Sequence, residues 1–136
     1  MSELTSFVFE GVELEVRFVE SEVVATGVTC GVYRFVGDKR KDLGIIYIEK
    51  GHSTPRQEVM KGKRTVEGYV SGRGTLTIWP KDGAKRVYPV GGNPYFQVDV
   101  EVGDIMQWEA LSGSNLVASE VCIPRYKPGR FRNLVG

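Results

Sequence analysis

Histidine is nearly absent from this chain: His52 is the only one in 136 residues. Cysteine is almost as scarce. Cys30 and Cys122 are too few for a disulfide framework, and both lie in apolar, strand-like stretches, which predicts buried free thiols. No stretch approaches the about 20 apolar residues that a bilayer-spanning helix needs. The start Met1-Ser-Glu-Leu-Thr-Ser lacks the basic beginning and apolar run of a secretory leader. Neither sign of charge dominates, since 18 Lys and Arg stand against 17 Asp and Glu. Nucleic-acid binders carry a far stronger basic excess. The expectation is a cytoplasmic protein with neither a membrane nor a nucleic-acid partner. Also missing are Gly-x-Ser-x-Gly, a phosphate-binding loop ending in Gly-Lys-Ser/Thr, and Cys-x-x-Cys, which removes the common nucleophile and nucleotide-loop classes.

What is present is strand signal. No window holds a 3.6-residue period, so no long helix is expected. Apolar or alternating runs fall at residues 7–9, 12–19, 23–28, 31–36, 43–49, 65–70, 75–79, 86–90, 96–102, 105–108 and 116–123. Turn residues separate them, among them Gly37-Asp38, Lys81-Asp-Gly83, Gly91-Gly-Asn-Pro94 and Gly103-Asp104. Many short strands at regular spacing predict a sandwich or barrel. The Asp82-Gly83 turn predicts that the strands on its two sides pair. The length fits one domain that buries about two-thirds of its unfolded surface.

One segment is more specific. Glu67-Gly-Tyr-Val-Ser-Gly-Arg-Gly74 runs straight into Thr75-Leu-Thr-Ile-Trp79, a strand, a glycine turn and a second strand with a carboxylate at the head. It resembles the first motif of the cupin barrels, in which a Glu precedes a Gly by seven residues. Gly103-Asp104 followed by Ile105-Met-Gln-Trp108 is similar to the start of the second motif. The resemblance covers roughly residues 44 to 123. It implies an all-β, cupin-type double-stranded β-helix, a jelly-roll barrel. Residues 1–42 are then N-terminal strands added to one sheet, 43–123 the barrel core and 124–136 a C-terminal strap. The tail from Ala118 to Leu134 is similar to that of small cupins grouped with sugar-phosphate isomerases, which implies a carbohydrate setting. Cupins commonly pair through edge strands, so the resemblance also implies a homodimer.

In metal-binding cupins two histidines, one residue apart, lie just upstream of the motif's Glu. Lys61-Gly62-Lys63 stands there in this chain, and no His falls near Ser114, where a third ligand is expected. An ammonium group has no free lone pair near pH 7. His52 sits in Lys50-Gly-His-Ser-Thr-Pro55 and reads as an exposed loop residue. The expectation is therefore no bound metal and no other cofactor.

The resemblance places Lys61, Lys63, Glu67, Tyr69, Gln107 and Glu109 at the mouth of the barrel. A small barrel holds one small ligand, and ammonium groups at its mouth favour an anionic one. Trp79 and Trp108 offer faces on which a sugar or base stacks, and Arg125 begins a basic tail that closes over an anion. Plainer roles compete. Lys63 and Glu67, four apart, fit a surface pair worth under about 1 kcal/mol; the two tryptophans fit a core; and Tyr126, Phe131 and Leu134 fit a strap over the barrel's apolar end. Two function classes follow. One is binding of an acidic or sugar-like small molecule by Lys61, Trp79, Gln107, Trp108, Glu109 and Arg125. The other is a metal-independent sugar or sugar-phosphate isomerase or epimerase, with Lys63, Glu67 and Tyr69 moving the proton. A purely structural module is the third reading.

Overall fold

The computed structural model describes residues 3–93 and 95–135, so the Pro94 end of the Gly91–Pro94 turn and the last residue of the strap lie outside the described residues. Twelve strands are present among them: Ser6–Phe9 (β1), Val12–Ala25 (β2), Val28–Phe35 (β3), Asp38–Ile48 (β4), Gln57–Val59 (β5), Arg64–Gly72 (β6), Gly74–Trp79 (β7), Arg86–Val90 (β8), Gln97–Asp99 (β9), Ile105–Ala110 (β10), Leu116–Ile123 (β11) and Phe131–Asn133 (β12). There is no helix among the described residues, and hence none long and apolar enough to cross a membrane.

All pairings are antiparallel. One sheet runs β1-β2-β3-β4-β11-β6-β9 and the other β12-β5-β10-β7-β8. The all-β jelly-roll expectation holds, and β7 and β8 pair around the Asp82-Gly83 turn. β4 begins at Asp38, so the expected boundary at 42/43 falls inside a strand, and the N-terminal strands extend the same sheet that carries β6 and β11.

The long N-terminal strand corrects the sequence reading. Residues 12–19 and 23–28 were expected as two strands, with a third at 31–36. β2 instead runs unbroken from Val12 to Ala25, and the chain turns at Thr26-Gly27. Glu20-Ser21-Glu22 contains no Gly, Pro, Asn or Asp, whereas Gly27 takes a φ of 73° at no steric cost. Register shifts at Phe18/Glu20 and Val23/Ala25 absorb the broken alternation as bulges. β5 and β12 have three residues each, too few to show a period, and exist because they pair with each other and β5 also pairs with β10. The expected strand at 96–102 shrinks to Gln97–Asp99.

The large sheet carries a core on each face. Between the sheets lie Ile46, Ile48, Tyr69, Leu76, Ile78, Met106, Trp108, Leu116 and Ala118. On the opposite face lie Phe9, Val16, Tyr33, Phe35, Leu43, Ile45, Val66 and Val121. β1 curls back toward β6 and β9 over this second core: Gln97 Nε2 donates to the Val8 carbonyl and Arg64 pairs with Glu10. β11 therefore has no solvent face, which is why Leu116–Ile123 shows no apolar/polar alternation.

The glycines of the Glu67–Gly74 motif are set by close approach. Gly72 has a φ of 86°, and a Cβ there would stand 1.9 Å from the Asn115 carbonyl oxygen. Gly72→Ala is expected to destabilise the protein by about 2–3 kcal/mol. Chemical denaturation measures it, and a loss under about 1 kcal/mol would show that the β6–β11 contact relaxes freely.

Candidate functional site

A cavity of about 580 Å³ opens between the two sheets at one end of the barrel. Its wall comes from β2, β3, β4 and β11 of the large sheet, with Thr54 and Gln57 from the region of β5 and Tyr126, Phe131 and Asn133 from the strap. Strand alternation sends Cys30, Gly44, Glu120 and Cys122 to this face. Gly44 keeps the wall open beside Glu120, since a Cβ there would lie 3.1 Å from Cys30 Sγ.

Glu120 and Glu67 are direct cross-strand partners on β11 and β6. Partners in an antiparallel pair project to the same face, and like charges so placed repel. Glu67 is wholly buried, at 0% exposure, while Glu120 reaches the cavity. Trp108, from β10 of the opposite sheet and 2% exposed, donates its indole N–H to Glu67 Oε1 at 2.7 Å. Glu67 Oε2 has no donor. Protonating Glu67 resolves this, because its O–H then donates to the Glu120 carboxylate. Burial first, and then the charge of Glu120, holds the Glu67 carboxyl well above its ordinary range. Burial also raises Glu120, against the hydrogen bond from Glu67 and the positive charge of Arg130. The pair thus retains a proton at a pH where free carboxyls hold none.

The surroundings are acidic. Asp42, raised chiefly by burial, accepts the Tyr126 backbone N–H at 3.1 Å, and Glu20 and Glu22 stand on the cavity wall. Burial, reinforced by Glu120, pushes the Cys30 thiol up to about 12, and burial raises Cys122 as well, so neither is a thiolate nucleophile at neutral pH.

Of the residues singled out from sequence, Glu67, Tyr69 and Trp108 meet inside the barrel and the others do not. Lys61 and Lys63 are exposed, in the loop between β5 and β6 and outside the cavity wall. Glu67 therefore faces a second carboxylate, not lysines, and forms no surface pair with Lys63. The physical reason is register: Glu67 lies opposite Glu120, while Lys61 and Lys63 precede the start of β6 at Arg64 with their side chains exposed. Tyr69 donates its hydroxyl to the Gly72 carbonyl at 2.8 Å and packs in the core, away from the cavity wall. Gln107 and Glu109 alternate with Met106 and Trp108 on β10 and so lie on the outer face; Gln107 donates to the Thr54 carbonyl and Glu109 is exposed. Trp79 is also on the outside, beneath the Arg56 guanidinium at 4.5 Å from its ring centroid. Arg125 lies beyond β11, with its guanidinium 3.4 Å from the Asp38 and Lys41 carbonyls.

Glu120 is the residue the sequence reading missed. Its signal was present: it is the single charged residue in a strand apolar on both faces, so it faces a covered side whichever way it points.

A metal of the kind metal-binding cupins carry does not fit this donor set. The only imidazole, His52, packs against the Gly27 turn away from the cavity wall. Glu67 is committed to Trp108 and Glu120, and no three His, Cys, Asp or Glu side chains among the described residues converge as ligands.

Solved structures share this architecture. CapF, a capsular polysaccharide assembling protein from Staphylococcus aureus, is 18% identical with a TM-score of 0.64, over 88% of this chain and 35% of that one. A variant of Bacillus subtilis oxalate decarboxylase is 17% identical with a TM-score of 0.66, over 82% and 29%. Pac13 from Streptomyces, described as a nucleoside dehydratase, is 14% identical with a TM-score of 0.59, over 98% and 92%. This chain thus spans about a third of the length of the first two and nearly all of the third. At such identities the likeness is one of fold, and the fold is the cupin-type barrel. No protein-family model and no curated protein matches the sequence.

Proposed function

We propose that the barrel binds a small, hydroxyl-rich molecule, a sugar or nucleoside, with Glu120 accepting its hydroxyls. The observation that carries this reading is the carboxyl pair at the cavity: Glu120 opens to the space, and Glu67 behind it stores a proton. Carboxylates accept hydrogen bonds from sugar hydroxyls and disfavour an anion held inside the barrel. The acidic half of the expected ligand range loses its support, because the lysines that suggested it lie outside. The volume of about 580 Å³ is of the size that ligand cavities occupy. Two fold neighbours bear names tied to sugars, one in polysaccharide assembly and one in nucleoside dehydration, which supports the same class.

Metal-independent isomerase or epimerase chemistry is the second reading. It is favoured by the raised proton affinity of the pair beside open space: Glu120 would take a proton next to a carbonyl. Lys63 has no part in it from where it lies, and Tyr69 has spent its hydroxyl.

Thermal unfolding with ribose, glucose and uridine tests the binding reading. A ligand at about 100 times its Kd stabilises by about 2.7 kcal/mol, which raises Tm by several degrees. Glu120→Ala should abolish the rise. No movement with any of the three at tens of millimolar, or an equal rise in Glu120→Ala, would remove it.

A further inference from the structure

Next to the acidic cavity lies a cleft of opposite charge. It has a volume of about 700 Å³ and forms where the β3–β4 hairpin meets the chain beyond β11. Arg17, Arg34, Lys39, Arg40 and Arg125 line it, against the single carboxylate of Asp38, which already holds Arg40 and Lys41. In a chain whose net charge is only +1, this is segregation of charge and not a general basic excess.

Three features set the cleft apart from an ordinary solvated surface. Arg17 and Arg34 are direct cross-strand partners on β2 and β3, so two like charges project side by side from the same face. Such a pairing is unfavourable unless something negative bridges it. The chain supplies little: neither arginine forms an ion pair among the described residues, and only the Asp42 carboxylate feels the charge of Arg34. The neighbour of Arg34 on β4 is Asp42, and that carboxylate is buried and turned to the Tyr126 N–H. The second feature is Arg125. The Asp38 and Lys41 carbonyls position its guanidinium without neutralising it. The third is continuity, because Arg34 lines both the cleft and the barrel cavity.

We infer that Arg17, Arg34 and Arg125 form an anion subsite at the rim of the barrel, taking the phosphate group of a phosphorylated ligand whose hydroxyl-rich part enters the cavity. The inference rests on the sugar-binding reading above and deepens it. The charge pattern divides the ligand. The carboxylates Asp42 and Glu120 exclude a phosphate from the interior, and the guanidinium groups, spread across two strands and the strap, match its oxygens outside. Guanidinium is the fitting donor here, since its planar fork meets phosphate in two parallel hydrogen bonds.

Matched pairs separate the two parts of this reading: ribose with ribose 5-phosphate, glucose with glucose 6-phosphate, and uridine with uridine 5′-monophosphate, with inorganic phosphate alone as a fourth probe. Binding is followed by calorimetry at low salt and at about 0.3 M NaCl, where exposed charges are screened. At least one phosphorylated member should bind about ten-fold or more tightly than its partner. Arg17→Ala and Arg125→Ala, neither of which lines the barrel cavity, should each remove most of that advantage while leaving the affinity of the unphosphorylated partner within about two-fold. Lys85→Ala, an exposed charge elsewhere, should remove none of it, and salt should erode it. Equal affinity within every pair overturns the subsite and leaves the cavity reading standing. An advantage that survives both arginine variants, or that Lys85→Ala lowers as much, also overturns it. If inorganic phosphate binds through the arginines and no sugar moiety adds affinity, the anion site stands and the cavity reading falls. Absence of binding by all probes overturns both.

Discussion

Arg130→Ala is expected to destabilise the protein by about 3–5 kcal/mol, a fall in Tm of roughly 10–20 °C for a domain of this size. Arg130 comes from the strap, yet it is only 4% exposed. Its guanidinium donates to the Pro124, Ile123 and Arg64 carbonyls and to Thr65 Oγ1, with Nε left unpartnered. One side chain therefore fastens the end of β11, the start of β6 and the strap to one another. Truncation strands those acceptors, each of which costs about 1–3 kcal/mol when buried without a donor, and water reaches only some of them. It also withdraws the cation that moderates Glu120 and one of those that moderate Asp42. Gly62 belongs to the same arrangement, because a Cβ there would strike the guanidinium at 2.4 Å. Arg130→Lys should recover less than half of the loss, since an ammonium cannot span a fork of four acceptors. Urea unfolding with an unchanged m-value measures the effect. A loss below about 1 kcal/mol would mean that the strap is held by Phe131 and Tyr126 packing alone.

Glu67→Gln is expected to flatten the dependence of stability on pH and to make the protein more stable than wild type at pH 8. The proton affinity of the pair is raised in the folded state above the ordinary carboxyl value of 4.5. Between that value and the raised one, the folded chain holds a proton that the unfolded chain has lost. The contribution is complete below about pH 4.5 and declines as pH rises through the window, with a slope of up to about 1.4 kcal/mol per pH unit. Glutamine removes the requirement for the proton while keeping both contacts: its carbonyl oxygen accepts from Trp108 and its amide donates to Glu120. Tm of the variant should fall less between pH 5 and 8 than that of the wild type, with Asp42, also raised by burial, carrying the slope that remains. Equal slopes in the two proteins would show that the pair does not carry the proton.

These two effects reside in residues that the sequence treats very differently. Glu67 stands at the head of a glycine-punctuated pair of strands and was visible at once, although those strands, β6 and β7, form no hairpin and belong to different sheets. Arg130 sits in a tail whose four basic residues, Arg125, Lys127, Arg130 and Arg132, look alike on paper. Only the last turn of the chain against Gly62 makes one of them interior. Likewise Gln107 and Trp108 are adjacent in sequence, the first expected at the barrel mouth and the second as a stacking face or a core residue. Alternation sends one out and one in, and the packing of the second sheet decides which.

By itself the sequence determined the all-β class, most of the strands, the turns at Gly83 and Gly103, and the barrel type. These follow from period-two patterning and glycine chemistry, which act over a few residues. It also contained Glu67 but not its partner. The tertiary structure decided that Glu67 meets Glu120 and Trp108, that Lys61 and Lys63 stay outside, and that an acidic cavity borders a basic rim. The reason is that alternation divides a strand's residues between two faces without saying which face is interior. What stands across from a side chain is set by register between strands distant in the chain, and that register is fixed by packing the whole.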